Sequence, residues 1–270
     1  SANHSPNRYY AEVQNRVNTI STIAKERDLA AVFMTITLPS EFHPFKKDGA
    51  TPNPKFNRST PHEASMALTK MLSKLRHDRS MKELSKEERL FIKVNEPHKS
   101  GVPHMHLLFF IPAERVERVK RAFKRLYNPL TNDIQSDIAN ATSYVMKYIN
   151  KTLPFSKAEK LSEKDKYMNA WYSKNRIIRF SSSRTLAPLH IYRLLHNRFS
   201  MYALTRLLNE KHLSVCVEIE TDKVMEIIDE WGDVLYSRGS NYDVITVASV
   251  SRGDYFNNSQ TSDSAIGMPA

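Results

Sequence analysis

From about Tyr9 to Asp28, Val13, Val17, Ile20 and Ile23 recur with polar residues between them, the period of an amphipathic helix. The pattern then changes. Ala30 to Leu38 is β-branched and aromatic and largely apolar on both faces, which predicts a short central strand stopped by Pro39. Glu41 to Thr60 carries Pro44, Pro52, Pro54 and Gly49 and predicts a long loop, a feature that is often functional in a compact domain. Pro61-His62-Glu63 opens a helix to about Asp78, with Met66, Leu68, Met71, Leu72 and Leu75 on its apolar side. After a charged turn over Ser80 to Arg89, the apolar runs Leu90 to Glu96 and His104 to Ile111 are joined by Pro97 to Pro103, which predicts an antiparallel hairpin.

The second half is less regular. Pro112-Ala113-Glu114 starts a helix, and Ala139 to Leu153 has no Gly or Pro until Pro154 and is compatible with another. Beyond Phe155 a lysine-rich, mixed-charge stretch runs to Lys174, followed by a strand at Arg176 to Phe180 and a helix at Ala187 to Leu208. A β-like run at Ser214 to Ile219, a small helix at Lys223 to Glu230 and a last strand at Asp243 to Val250 complete the ordered part. From Ser251 the chain is polar and reads as a disordered tail. The expected organisation is therefore a core over 1–155, an α-rich extension packed on it over 156–250, and a tail over 251–270.

Charge adds a partner class. The 270 residues carry 40 Lys+Arg against 29 Asp+Glu, a formal +11, which favours an anionic partner. Nucleic acid is preferred to a membrane surface, because no basic amphipathic helix with a strong apolar face dominates. Cys216 is the one cysteine, which excludes an internal disulfide and a Cys-rich zinc site and fits a reducing cytoplasm. No apolar run approaches the roughly 20 residues that span a bilayer, and no signal-peptide pattern opens the chain. Its start at Ser1-Ala2 without methionine is consistent with a segment of a longer protein.

Candidate chemistry gathers on the hairpin. His104 and His106, alternate residues of a strand, point the same way, and two imidazoles on one face can hold one cation. An isolated His-x-His is also common without a metal. Glu96 ends the preceding strand close to both, and three ligands of mixed N and O type suit a divalent ion with open positions. His98, two residues on in the turn, is a competing ligand, and His43 lies near the end of the first strand. In a helix, Tyr144 and Tyr148 share a face, and Lys147 and Lys151 repeat the same spacing; two core tyrosines would show the same pattern. The basic run Arg115, Arg118, Lys120, Arg121, Lys124 and Arg125 fits phosphate tracking and equally fits a solvated face balanced by Glu114 and Glu117.

Taken in order, Phe33-Met34-Thr35-Ile36-Thr37-Leu38-Pro39-Ser40, Glu96 with His104-Met105-His106, and Tyr144-x-x-x-Tyr148 with Lys147 and Lys151 resemble the HUH endonucleases, specifically the bacteriophage replication gene A protein family. The likeness covers about Phe33 to Lys151, with softer support from Glu41 to Pro44 and Glu96 to His98. It implies an α+β fold in which a five-stranded antiparallel sheet, flanked by helices, carries the histidines and a tyrosine helix faces them. It also implies a single-stranded DNA endonuclease and strand transferase acting at a replication origin. Mg²⁺ or Mn²⁺ held by Glu96, His104 and His106 would position the scissile phosphate, and Tyr144 or Tyr148, aided by Lys147 and Lys151, would attack it. The product would be a 5′-phosphotyrosine and a 3′-OH that primes rolling-circle replication, with a second tyrosine to close the round.

The expected partners are single-stranded or hairpin origin DNA, with Arg115, Arg118, Arg121, Lys124 and Arg125 on its phosphates, a host helicase and a DNA polymerase, in a bacterial cytoplasm. No Gly-x-x-x-x-Gly-Lys-Ser/Thr loop occurs, so no helicase activity is expected of the chain itself. Rival readings are a relaxase or transposase of the same chemistry, a non-catalytic nucleic-acid-binding protein with structural histidines and core tyrosines, and a zinc hydrolase.

Overall fold

A computed structural model of the chain describes residues 6–136, 138, 140–153, 162–184, 186–239 and 244–246. It divides into two compact units, 1–183 and 184–270.

The first unit is built on the hairpin of β2 (Leu90–Pro97) and β3 (Pro103–Pro112). Its turn closes where the His98 N–H donates to the Val102 carbonyl at 2.8 Å, and Gly101 takes φ 79°, which a residue without Cβ adopts at no steric cost. β1 (Leu29–Ile36) pairs antiparallel with the other edge of β3. Two three-residue strands, β4 (Asp133–Gln135) on β1 and β5 (Phe180–Ser182) on β2, complete a five-stranded antiparallel sheet in the order β4-β1-β3-β2-β5. The expected α+β class and five-stranded antiparallel sheet are both present.

The helices described in this unit are α1 (Pro6–Glu26), α2 (Pro61–His77), α3 (Arg79–Lys82), α4 (Val116–Leu126), α5 (Ala141–Thr152) and α6 (Glu163–Asn175). Side chains alternate across a strand, so each strand has two faces with different partners. Val32, Met34 and Ile36 of β1 and Met105, Leu107, Phe109 and Ile111 of β3 form one face, which meets Leu68, Leu72 and Leu75 of α2 and Val119 and Phe123 of α4. This is the main core. The other face carries Phe33, Thr35, His104, His106 and, across the hairpin, Glu96, and is covered by α1 and α5. α2 begins on a reciprocal capping box between Thr60 and Glu63 with Pro61 at its first turn, so its start is fixed by its own sequence. Phe109 is 1% exposed at the centre of the sheet. Phe109→Ala should cost about 3–5 kcal/mol by transfer and cavity terms, read as a lower urea midpoint at unchanged slope.

The second unit contains α7 (Leu189–Leu195), α8 (Met201–Asn209) and a sheet of β6 (Leu213–Glu218), β7 (Val224–Asp229), β8 (Val234–Ser237) and β9 (Val244–Thr246) in the order β8-β7-β6-β9. No described helix is long and apolar enough to cross a membrane.

Several expectations change. Lys223 to Glu230 is not a small helix but strand β7, because Val224, Met225 and Ile227 are buried in a hairpin whose turn holds Asp222 at φ 54°. The region expected to be α-rich therefore holds a four-stranded sheet. Ala187 to Leu208 is two helices, divided where the Ser200 side chain caps α8 by accepting from the Ala203 N–H. The lysine-rich stretch before Lys174 contains α6, capped by Ser162, and α6 ends with Arg176 at φ 52°, so the following strand begins only at Phe180. That strand pairs with β2, which places the compact division after Ser183, where the sequence suggested a boundary at 155. The expected tail at 251–270 lies outside the described residues.

Candidate active site

The register of the hairpin sets Glu96 directly opposite His104, and Val94 opposite His106. On the other side, Thr35 of β1 stands opposite His106, and Asp133 of β4 opposite Thr35. One row of the sheet thus delivers Asp133, Thr35 and His106, and the next delivers His104 and Glu96. Strand alternation brings all of these to the same face.

Hydrogen bonds orient the imidazoles. The Thr37 hydroxyl lies 2.8 Å from His104 Nδ1, and the Thr35 hydroxyl 3.2 Å from His106 Nδ1. Each ring is held by Nδ1, which leaves Nε2 to work, the arrangement in which outer partners fix metal-ligand histidines. Thr37 is itself fixed where its N–H donates to the Asn132 side-chain oxygen at 2.8 Å. The two rings meet edge to face with centroids 4.6 Å apart.

His106 Nε2 is buried and lies 3.2 Å from Glu96 Oε1, with no other hydrogen-bond partner. A buried polar atom so sparsely partnered costs free energy and marks a place where another group belongs. Burial pushes Glu96 up, but the His106 imidazole and the Lys151 charge outweigh it, and the carboxyl stays below the usual carboxylate range. Burial, followed by the charge of His106, pushes His104 down to about 4, so its imidazole is neutral near pH 7 and offers a lone pair. A carboxylate oxygen with two imidazole nitrogens is a donor set that fits Mg²⁺ or, with its greater affinity for nitrogen, Mn²⁺. Among the described residues no three His, Cys, Asp or Glu side chains already stand closed around a metal position. The fit therefore rests on the donor chemistry and the buried Nε2 beside Glu96.

The tyrosine helix faces this row. α5 starts where the Asn140 side chain accepts from the Ser143 N–H, and it buries Val145 and Ile149 against the sheet. It is joined to α1 by the Thr142 hydroxyl, which donates to Ser21 at 2.7 Å. Tyr148, one turn on from Tyr144, stacks on His106 with ring centroids 3.7 Å apart. Phe33 is the platform for both phenols, with Tyr144 on edge at 4.6 Å and Tyr148 stacked at 5.4 Å. Burial, then the neighbouring Tyr144 and the charges of Glu96 and Asp133, push the Tyr148 hydroxyl above its ordinary value. Lys151 places its Nζ 4.9 Å from the centre of the Tyr148 ring. The structure thus brings Glu96, His104, His106, Tyr144, Tyr148 and Lys151 together. Lys147 is exposed on α5, with no described contact to them.

The basic run is elsewhere. α4 packs on the apolar face of the sheet, opposite the histidines, because Val119 and Phe123 are its core-facing residues. Arg115 and Arg118 pair with Glu83 at 2.9 and 3.2 Å, and Arg125 pairs with Asp78, while Arg121 and Lys124 are exposed. The competing ligand His98 and His43 are also outside the row: each lies near Ser100 Oγ, at 3.2 and 3.1 Å. Sequence reasoning gave no role to Phe33, Thr35, Thr37 or Asp133. The Phe-x-Thr-x-Thr alternation of 33–37 was the available signal for the first three.

The fold and site together define an α+β protein in which one polar sheet face gathers two imidazoles, a carboxylate and two phenols. A model of the bacteriophage replication gene A protein (GPA) family matches residues 2–128 of the chain. The chain is 31% identical over 170 residues to the "Replication protein" of Haemophilus phage HP1, covering 57% of this chain and 21% of the relative. It is 30% identical over 209 residues to the "Replication gene A protein" of Escherichia phage 186, covering 67% and 29%. With the "Probable replication endonuclease from prophage-like region 1" of Salmonella typhi it shares 29% identity over 195 residues, covering 63% and 23%. The chain thus spans less than a third of the length of these relatives. No solved structure matches.

Proposed function

We propose that this chain is the nicking and joining module of a replication initiator: a metal-dependent endonuclease that cuts single-stranded or hairpin origin DNA through a 5′-phosphotyrosine and so starts rolling-circle replication. The observation that carries this reading is the stacking of Tyr148 on His106, which sets a phenol beside an imidazole whose buried Nε2 faces Glu96. Core tyrosines would not need that row of polar groups beneath them. The relatives named replication gene A protein and replication endonuclease support the same biological setting.

The chemistry is one transesterification. The Tyr148 oxygen attacks the scissile phosphorus, the bond from phosphorus to the 3′-oxygen breaks, and the departing oxygen takes a proton to become a 3′-OH. Bond energy is kept in the new phosphotyrosine. Glu96, His104 and His106 would hold Mg²⁺ or Mn²⁺, which supplies charge to polarise a phosphate and place it in line. Thr35 and Thr37 keep both imidazoles aimed at that position. Lys151, close over the Tyr148 ring, stabilises the phenolate as its proton leaves. Tyr144 makes the second attack, on the regenerated origin, and the freed 3′-OH then resolves the first link. A host helicase and polymerase would extend the primed end.

A randomised single-stranded DNA library incubated with the protein and Mn²⁺, then run under denaturing conditions, tests the proposal: a protein–DNA adduct is expected, and its absence across the library overturns it. Thr37→Val removes the hydroxyl on His104 and leaves the shape. It should weaken Mn²⁺ binding and adduct formation by about 10-fold or more, with a melting temperature within a few degrees of the parent.

A further inference from the structure

Beyond the end of β1, the ordered loop of residues 41–60 and the turn between β2 and β3 enclose a cleft of about 550 Å³ whose lining includes Thr37. The same threonine holds His104, so the cleft opens at the His104 end of the catalytic row. The loop is a built structure. Phe45 and Pro52 form an isolated β-bridge, the Lys46 N–H donates to the Thr51 carbonyl at 2.8 Å, and the Asn53 amide donates to the Ser40 and His43 carbonyls. Ser100 Oγ, between His43 and His98, fastens the loop to the turn.

This organisation leaves cations and one aromatic ring at the opening. Lys46, Lys47 and Lys99 are exposed on the lining, and the Phe45 ring is 42% exposed beside them. The one carboxylate among the lining residues, Asp48, is turned back onto its own loop, accepting from the Ala50 and Thr51 N–H groups and the Thr51 hydroxyl. Exposed lysines with an exposed aromatic face are the two components of a site for single-stranded nucleic acid, one for phosphates and one for a base.

Direction follows from the chemistry. Entering and leaving oxygens lie on opposite sides of the phosphorus in an in-line displacement. Tyr148 stands over His106, and the cleft lies past His104, at the other end of the pair. We propose that this cleft binds the nucleotides on the leaving-group side of the scissile phosphate, stacking a base on Phe45 and holding backbone phosphates with Lys46, Lys47 and Lys99. The inference rests on the nicking function proposed above. It assigns the loop a role in retaining the 3′-OH strand for the joining step and in selecting sequence on that side of the nick.

Two measurements test it and separate its failure from failure of the nicking reading. The first is anisotropy of a fluorescent dT 12-mer against the parent chain, Phe45→Ala, Lys46→Ala with Lys47→Ala, and a charge-matched control, Lys70→Ala with Lys74→Ala on α2. The cleft variants should bind about tenfold more weakly, the lysine pair should flatten the log–log salt slope by about 1.4, and the control should lose no more than about twofold. Equal losses in cleft and control variants, or no loss in either, overturn the cleft whether or not the protein nicks DNA. The second uses a randomised single-stranded library with Mn²⁺, sequencing the released 3′-OH fragments and the protein-linked fragments. Phe45→Ala should relax base preference in the released fragments, next to the cut, and leave the linked fragments unchanged. Relaxation confined to the linked fragments overturns the assignment. If the parent forms no adduct, the nicking reading fails and the anisotropy alone decides whether the cleft binds DNA.

Discussion

Tyr148→Phe should abolish the first joining of protein to DNA, and the double variant with Tyr144→Phe should form no adduct, a loss of at least about a thousandfold. Phenylalanine keeps the ring stacked on His106 and Phe33 and deletes only the phenolic oxygen, so packing is retained. The stability cost should be no more than about 1 kcal/mol, the size of one net hydrogen bond. Tyr144→Phe alone should leave the first cut nearly intact and impair the second, because Tyr144 meets Phe33 edge-on while Tyr148 covers the imidazole. Single-turnover nicking and multi-round circle production, measured side by side, separate the two roles.

Chelation should have the next largest effect. EDTA is expected to suppress adduct formation by roughly a thousandfold, consistent with the several kcal/mol that a bound cation contributes at a phosphate, and added Mn²⁺ should restore it. Glu96→Gln, which keeps shape and removes the charge, should reproduce the loss at low Mn²⁺ and recover in part at high Mn²⁺. His106→Ala should not recover, since His106 supplies both the buried Nε2 and the surface on which Tyr148 lies. His106 is 3% exposed, so its removal also opens a cavity, and thermal melting of that variant separates the two causes. Adduct formation at full rate in EDTA would remove the metal from the mechanism.

Much of this face was legible from local pattern. His104 and His106 share a face because they alternate in one strand, and Glu96 reaches them because a short hairpin fixes its own register. Tyr144 and Tyr148 share a face by helical spacing alone. The remaining parts depend on contacts distant in sequence. Thr35 and Thr37 become partners of the histidines only because β1 pairs with β3, a register that no local signal encodes. Asp133 sits on a strand of three residues, too short for alternation to be read. The basic residues of α4 look alike in sequence whichever side of the sheet they occupy, and the packing of Val119 and Phe123 decides the matter. β7 resembles a helix in sequence because Val224-Met225-Glu226-Ile227-Ile228 satisfies helical and extended spacing equally over so short a run.

Lys147 allows a direct test of the nucleophile, because trypsin cleaves after it and so separates the two tyrosines into different peptides. Mass spectrometry of the nuclease-trimmed, trypsin-digested adduct from a single cleavage should find the residual nucleotide on Tyr148, in the peptide Tyr148-Ile149-Asn150-Lys151. A nucleotide mass on a residue other than Tyr148 or Tyr144 would contradict the assignment of this sheet face as the nicking site.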